Sequence, residues 1–211
     1  MNEILIYSDI GDYGWWDESA VSAINVYSQL KQMSGDVNVR INSAGGDVFD
    51  GFAIYNHLVQ YDGKVTVYID SMAASAASVV AMAGDEIIIA DNALMMIHDP
   101  WTGTVGNSAD MRSTADLLDK IRDSIVTTYM TKTSLIEDEV KAMMIAETWF
   151  SASESVASGF ATETIGKSKA PVSNLVKPWI RNAPKPEQLP EEIQSNTAWR
   201  VAINRRRLKL L

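Results

Sequence analysis

The chain has 211 residues, 46% of them hydrophobic and 21% charged, which suits one α/β domain with an appendage and argues against two full domains. It has no cysteine, and His57 and His98 are its only histidines, so a disulfide framework and a cysteine nucleophile are excluded and little remains for a metal site. The net charge of −9 is uneven, because Arg200, Arg205, Arg206, Arg207 and Lys209 crowd the C-terminal end without an acid. An acidic body argues against broad binding to a nucleic-acid backbone, and a short basic end reads first as a solvated tail.

Taken in chain order, Glu3 to Tyr7 reads as a short strand and Ile10 to Asp17, with Trp15 and Trp16, as a turn-rich loop. Asp17-Glu-Ser-Ala can open a helix carrying Val21, Ile24, Tyr27 and Leu30 and ending near Gly35. The alternating run Asp36 to Asn42 predicts a strand, Ser43-Ala-Gly-Gly-Asp-Val a glycine turn, and Phe49 to Tyr61 a helix. The pattern repeats with a strand over Lys64 to Asp70, a helix over Ala73 to Ala83, and strands over Glu86 to Ala90 and Ala93 to Ile97. Strands alternating with helices predict a mostly parallel sheet with crossover helices.

Met111 to Thr131 predicts a long amphipathic helix, and Ser134 a cap ahead of a helix through Val140 to Ile145. Glu147 falls in a short connector, and Ser151 to Glu154 forms a capping box that opens a last short helix ending near Gly159. Beyond Gly166 five prolines follow without periodicity, which sets a domain at 1–166 and a Pro-rich arm with a basic end at 167–211. The apolar run before Gly84 is too short and too serine-rich to cross a bilayer, and Met1 to Ile6 carries no basic leader. The expectation is a soluble, cytoplasmic protein.

Ser75 falls near a strand-to-helix transition, where the first helical N–H groups lack intrahelical partners. A hydroxyl beside free backbone donors is what acyl transfer needs. The alternative is a tightly packed helix in which Ser71, Ser75 and Ser78 bond nearby carbonyls, and the segment alone favours it. Gly45 and Gly46 can aim backbone N–H groups at a carbonyl oxygen, although an ordinary turn would use the same residues. The N–H of Ala76 is a second candidate oxyanion donor, and His98 is a candidate base at a strand end. His57, inside an amphipathic helix, reads as structural. Glu147 can orient an imidazole, or be a solvated surface acid.

Together, Asn42-Ser-Ala-Gly-Gly-Asp, Ala73-Ala-Ser75-Ala-Ala, Met96-Ile-His98-Asp-Pro100 and Glu147-Thr-Trp-Phe-Ser-Ala-Ser-Glu154 resemble, in order and wording, the Clp-type serine peptidase family over residues 3–166. Within it the chain is most similar to the phage-encoded head maturation (prohead) proteases. The resemblance implies a ClpP/crotonase-like α/β fold of stacked βαβ units with a protruding assembly helix, matched here by Met111 to Thr131. It also implies a Ser–His–acid mechanism with Ser75 as nucleophile, His98 as base, Glu147 as the acid, and the N–H groups of Gly46 and Ala76 as oxyanion donors. Glu147 stands where relatives carry aspartate, and Ala44 replaces the proline usual in the glycine turn.

Further implied are a homo-oligomeric ring, heptameric or doubled, a protein substrate such as capsid scaffold, and no cofactor, metal, membrane or nucleic acid. In a phage setting the location is the host cytoplasm or the procapsid interior. The short segment before the first strand suggests no obligate unfoldase. Two other readings are a crotonase-like acyl-CoA enzyme, which would need acids in place of the Ser/His pair, and an inert assembly or scaffold protein that keeps only the fold.

Overall fold

Alternating valine and isoleucine lay down the centre of the fold. Strands β1 (Asn2–Ile6), β2 (Val37–Ser43), β3 (Val65–Ala74) and β4 (Glu86–Ala90) run parallel, with Ile4 beside Val39, Val39 beside Val67 and Val67 beside Ile87. One face of this sheet, including Ile4, Ile6, Val39, Ile41, Val67 and Ile89, is sealed from solvent. Each such side chain contributes roughly 1.5–3 kcal/mol by leaving water. Helices α1 (Ala23–Leu30), α2 (Val48–Val59) and α3 (Ala76–Ala81) connect successive strands and close that face through Val26, Leu30, Ile54, Leu58 and Val80.

On the opposite face the alternate residues carry polar chemistry. The Arg40 guanidinium forks onto the Asp70 carboxylate, which also accepts the Tyr7 hydroxyl at 2.5 Å, and Arg40 lies over the Tyr68 ring. The computed structural model describes residues 2–12 and 19–166. The loop tryptophans, the residues Asp17 and Glu18 read as a helix start, and the Pro-rich arm lie outside the described residues.

The sheet forks along β3. One edge of that strand is held by β2 throughout, whereas the other pairs with β4 over Thr66 to Ile69 and with β5 (Leu94–Ile97) over Met72 to Ala74. Strand β6 (Thr148–Ser151) then adds to β5 in antiparallel fashion, and β7 (Glu163–Ile165) lies parallel to β4. The sequence reading contained neither β6 nor β7. The same reading ended β3 too early, for the chain stays extended to Ala74 and leaves only a six-residue helix after it. Helix α1 also starts later than read, at Ala23, where the Ser22 hydroxyl accepts the Asn25 N–H.

Helix α4 (Ser108–Tyr129) opens with a capping box in which the Asn107 side chain accepts the Asp110 N–H and the Asp110 carboxylate accepts the Asn107 N–H. Its C-terminal half is anchored by Ile121, Ile125, Val126 and Tyr129, while nearly all residues of its N-terminal half are exposed. The helix thus projects from the body. Helix α5 (Glu137–Ile145) is capped at Ile136, whose N–H donates to Glu139 at 3.0 Å, rather than at Ser134. Helix α6 (Ala152–Ala157) begins with the Ser151/Glu154 capping box expected from sequence. Stacked βαβ units with a projecting helix are the α/β architecture that the resemblance implied. Among the described residues no helix is long and apolar enough to cross a membrane.

Candidate active site

A single residue turns the chain from β3 into α3. Ser75 adopts φ 55° and ψ −128°, a left-handed conformation that costs an L-residue about 1–3 kcal/mol and persists only where the surroundings enforce it. Four hydrogen bonds do so, the longest from the Val79 N–H to the Ser75 carbonyl at 3.4 Å. The Ser75 N–H donates to the Met96 carbonyl on β5 at 3.0 Å, and the Ser75 carbonyl accepts the Ser78 N–H at 2.9 Å and the Ser78 hydroxyl at 2.6 Å. Of the serines in this run, Ser78 is thus the one that is fully buried and bonded to a carbonyl, as the packed-helix alternative required.

Ser75 is the N-cap residue of α3, but its side chain makes no capping hydrogen bond. Its Oγ lies 2.7 Å from Nε2 of His98, the first residue beyond β5. The two side chains meet because β5 runs beside the end of β3, with Met96 opposite Ala74. If the bond is to carry a proton from Ser75, Nε2 is its acceptor and the ring proton sits on Nδ1.

The glycine turn between β2 and α2 approaches Ser75 from the other side. Gly45 has φ 92°, and a Cβ there would lie 2.6 Å from the Ala74 carbonyl oxygen and 2.7 Å from Ser75 Cβ. At Gly46, φ 146°, a Cβ would lie 2.1 Å from the Ile10 carbonyl oxygen. Both positions therefore need glycine for close approach as well as for backbone conformation. Ile10 clamps the turn by donating its N–H to the Gly45 carbonyl and accepting the Asp47 N–H, both at 2.8 Å. In such a parallel bridge the intervening N–H, that of Gly46, points away from Ile10. Ala76 is the first residue of α3, so its N–H has no intrahelical acceptor.

Gly46, Ser75, Ala76 and His98 all line one cavity of about 480 Å³. Its remaining wall is largely apolar, with Met96, Val79 and Trp101 on one side and Leu118, Ile121 and Ile125 of α4 on the other. Such a pocket suits an extended chain with apolar side chains, held at one point by polar groups.

Glu147 follows α5 and precedes β6 rather than linking two helices, and it has φ 51°. Strand register pairs Ile97 with Thr148, so His98 and Glu147 both adjoin the same end of the β5–β6 ladder. Its Oε1 is buried, which does not fit a solvated surface acid. His57 lies apart on α2 with its ring 4.8 Å from that of Tyr27. Asp99, beside His98, donates its N–H to the Met144 carbonyl at 3.1 Å. Burial raises its carboxyl above the ordinary aspartate range, a shift opposed by Arg122 and reinforced by Asp119 on α4.

Sequence reasoning missed two contributors. Ile10 acts through its main chain, which leaves no pattern in a loop. Tyr129 lies within the run read only as an amphipathic helix, yet its hydroxyl lies 2.8 Å from that of Ser78.

Compared with models of known protein families, residues 5–168 match the Clp protease family. Among curated proteins the chain is similar to the ATP-dependent Clp protease proteolytic subunit of Bacteroides fragilis, at 28% identity over 78% of this chain and 79% of that protein. The similarly named subunit of Deinococcus radiodurans is 29% identical over 64% of this chain and 67% of its own length, and that of Porphyromonas gingivalis 24% over 79% and 74%. The family match covers well over half of the sequence and spans the glycine turn, Ser75, His98 and Glu147 alike. The chain belongs to the Clp protease family.

Proposed function

We propose that this protein is a serine endopeptidase in which Ser75 is the nucleophile, His98 the general base, Glu147 the acid that orients it, and the N–H groups of Gly46 and Ala76 the oxyanion donors. The observation that carries the reading is the 2.7 Å contact between Ser75 Oγ and His98 Nε2 inside the apolar cavity. His98 takes the hydroxyl proton as Oγ attacks the scissile carbonyl, and the tetrahedral oxygen is held by the two backbone donors. The C–N bond breaks as His98 returns the proton to the leaving amine, which leaves an acyl-enzyme. Water, deprotonated by the same imidazole, releases the acid.

Glu147, at the same end of the β5–β6 ladder as His98, is suited to accept a hydrogen bond from Nδ1–H and stabilise the imidazolium. Labelling by a fluorophosphonate probe tests the proposal: it is expected in the wild type and lost in Ser75→Ala. A folded, assembled sample that does not react would refute it.

The assembly is a homo-oligomeric ring in this reading, supported by family membership and by the projecting α4 with Met111 and Leu117 exposed on it. The substrate in this reading is a capsid scaffold or capsid precursor, which rests on the resemblance to the phage head maturation proteases. Co-expression with such a precursor should yield cleavage that Ser75→Ala abolishes.

A further inference from the structure

The Ser75 carbonyl and the Ala76 N–H belong to one trans peptide unit, so they point in opposite directions and neither can turn without the other. Whatever grips the carbonyl also aims the N–H. The Ser78 hydroxyl grips it at 2.6 Å, closer than the Ser78 and Val79 N–H groups that donate to the same oxygen at 2.9 and 3.4 Å, and since a carbonyl can only accept, the Ser78 proton is committed to that bond. The 2.8 Å contact between Ser78 and Tyr129 therefore has one consistent polarity, in which the phenol donates and Ser78 Oγ accepts. Ser78 is fully buried and Tyr129 is 1% exposed, so no bulk solvent competes for either group. Burial raises the phenol's pKa, which keeps it a neutral donor throughout the working range.

Tyr129 is the last residue of α4, and the edge of the Phe160 ring meets its ring at 89° with centroids 5.5 Å apart. The relay thus runs from the anchored end of the projecting helix through two hydroxyls to the peptide beside the nucleophile. We propose that Tyr129 and Ser78 are positioning residues for the reaction, which set the direction of the Ala76 oxyanion donor and hold Ser75 in its left-handed conformation. The inference rests on the reading of Ser75 as the nucleophile. It adds that the seat of α4 against the body governs transition-state stabilisation as well as the shape of the cavity. Hydrogen bonds arranged head to tail polarise one another, so loss of the phenol weakens the Ser78 grip without removing it.

The test uses Ser78→Ala, Tyr129→Phe and the double variant in the full, assembled chain. Fluorophosphonate labelling rates and the kinetics of a fluorogenic peptide are read at a temperature well below each variant's melting point. Losing one oxyanion donor outright costs about 10²–10³-fold in kcat, so misdirecting one should cost about 10-fold. The expected result is a roughly 10-fold fall in both labelling rate and kcat for Ser78→Ala, and a smaller fall for Tyr129→Phe, with KM nearly unchanged. The double variant should be no slower than Ser78→Ala, because Tyr129 acts through Ser78.

Wild-type rates in the single variants, losses that multiply in the double variant, or a change confined to KM would each overturn the inference. If Ser78→Ala does not fold, Tyr129→Phe, which keeps the ring, decides alone by its kcat and labelling rate. Ser75→Ala separates the two levels. Retained activity in it defeats the nucleophile reading, whereas an inactive Ser75→Ala beside unimpaired relay variants defeats only this proposal.

Discussion

Replacing Gly45 by alanine adds one methyl group at the point where the glycine turn meets the Ser75 peptide. The new Cβ would lie 2.6 Å from the Ala74 carbonyl oxygen, 2.7 Å from Ser75 Cβ and 2.8 Å from the Ala76 nitrogen, all closer than real Cβ contacts come. Two penalties add. A left-handed φ of 92° costs alanine about 1–2 kcal/mol, and relieving an overpacked contact costs about 1–3 kcal/mol more. A total of about 3 kcal/mol lowers the melting temperature of a protein of this size by about 6–12 °C. Two of the three clashing atoms are main-chain atoms, one in each of the two peptides that flank Ser75, so relieving the strain moves the backbone that carries Ser75. Displacements approaching 1 Å at reacting groups cost on the order of 10²-fold in rate.

Gly35→Ala is the internal control. That residue also has positive φ, at 74°, but nothing lies within 4 Å of its added Cβ. It should show only the conformational cost of about 1–2 kcal/mol, a drop of about 2–8 °C, with labelling by fluorophosphonate unchanged. Calorimetry and labelling rates on the two variants decide the matter. Equal melting temperatures together with near-normal labelling in Gly45→Ala would refute the close-approach argument.

Glu147→Gln should preserve the fold while reducing kcat by about 10²–10⁴-fold, because an amide can present the wrong group to the imidazole and cannot stabilise its charged form. Near-normal turnover in steady-state kinetics would remove Glu147 from the mechanism. Asp99→Asn probes the raised carboxyl. The folded state binds this proton more tightly than the unfolded chain does, so stability falls as pH rises from the ordinary aspartate value through the raised one. Asp99→Asn should therefore melt higher than the wild type near pH 7 and lose that advantage near pH 3–4, in thermal melts across pH. An advantage that grows on acidification would contradict the burial argument.

The parts of the site that the sequence made legible are those written in side-chain type. A serine before a small-residue helix, a histidine closing an apolar strand, paired glycines after another strand and a glutamate ahead of a capping box each leave a local mark. The alternation of Val37 to Ile41 and of Val65 to Ile69 likewise fixed the parallel strands. Contributions made by the main chain left no mark. Ile10 clamps the glycine turn entirely through its N–H and carbonyl, across more than thirty residues.

Strands β6 and β7, at four and three residues, are too short to establish a period of two. The end of β3 was misplaced for another reason. Met72, Ala73 and Ala74 have good helix propensity, but pairing with Leu94, Met95 and Met96 holds them extended. That override is what brings Ser75 to the strand end instead of leaving it inside a helix.

The fork in the sheet has a consequence for how such a site can be silenced. Ser75 and His98 each follow the last residue of one of two paired strands, joined through the Ser75 N–H and the Met96 carbonyl, and their separation inherits the spacing between strands. His98 is carried on the end of β5. That strand in turn carries β6, with Met95, Ile97 and Phe150 sealed in the core. A backbone shift of β5 away from β3 therefore strains both the β3–β5 and the β5–β6 pairings, and the branch of the sheet holds the Ser75–His98 pair through two ladders at once.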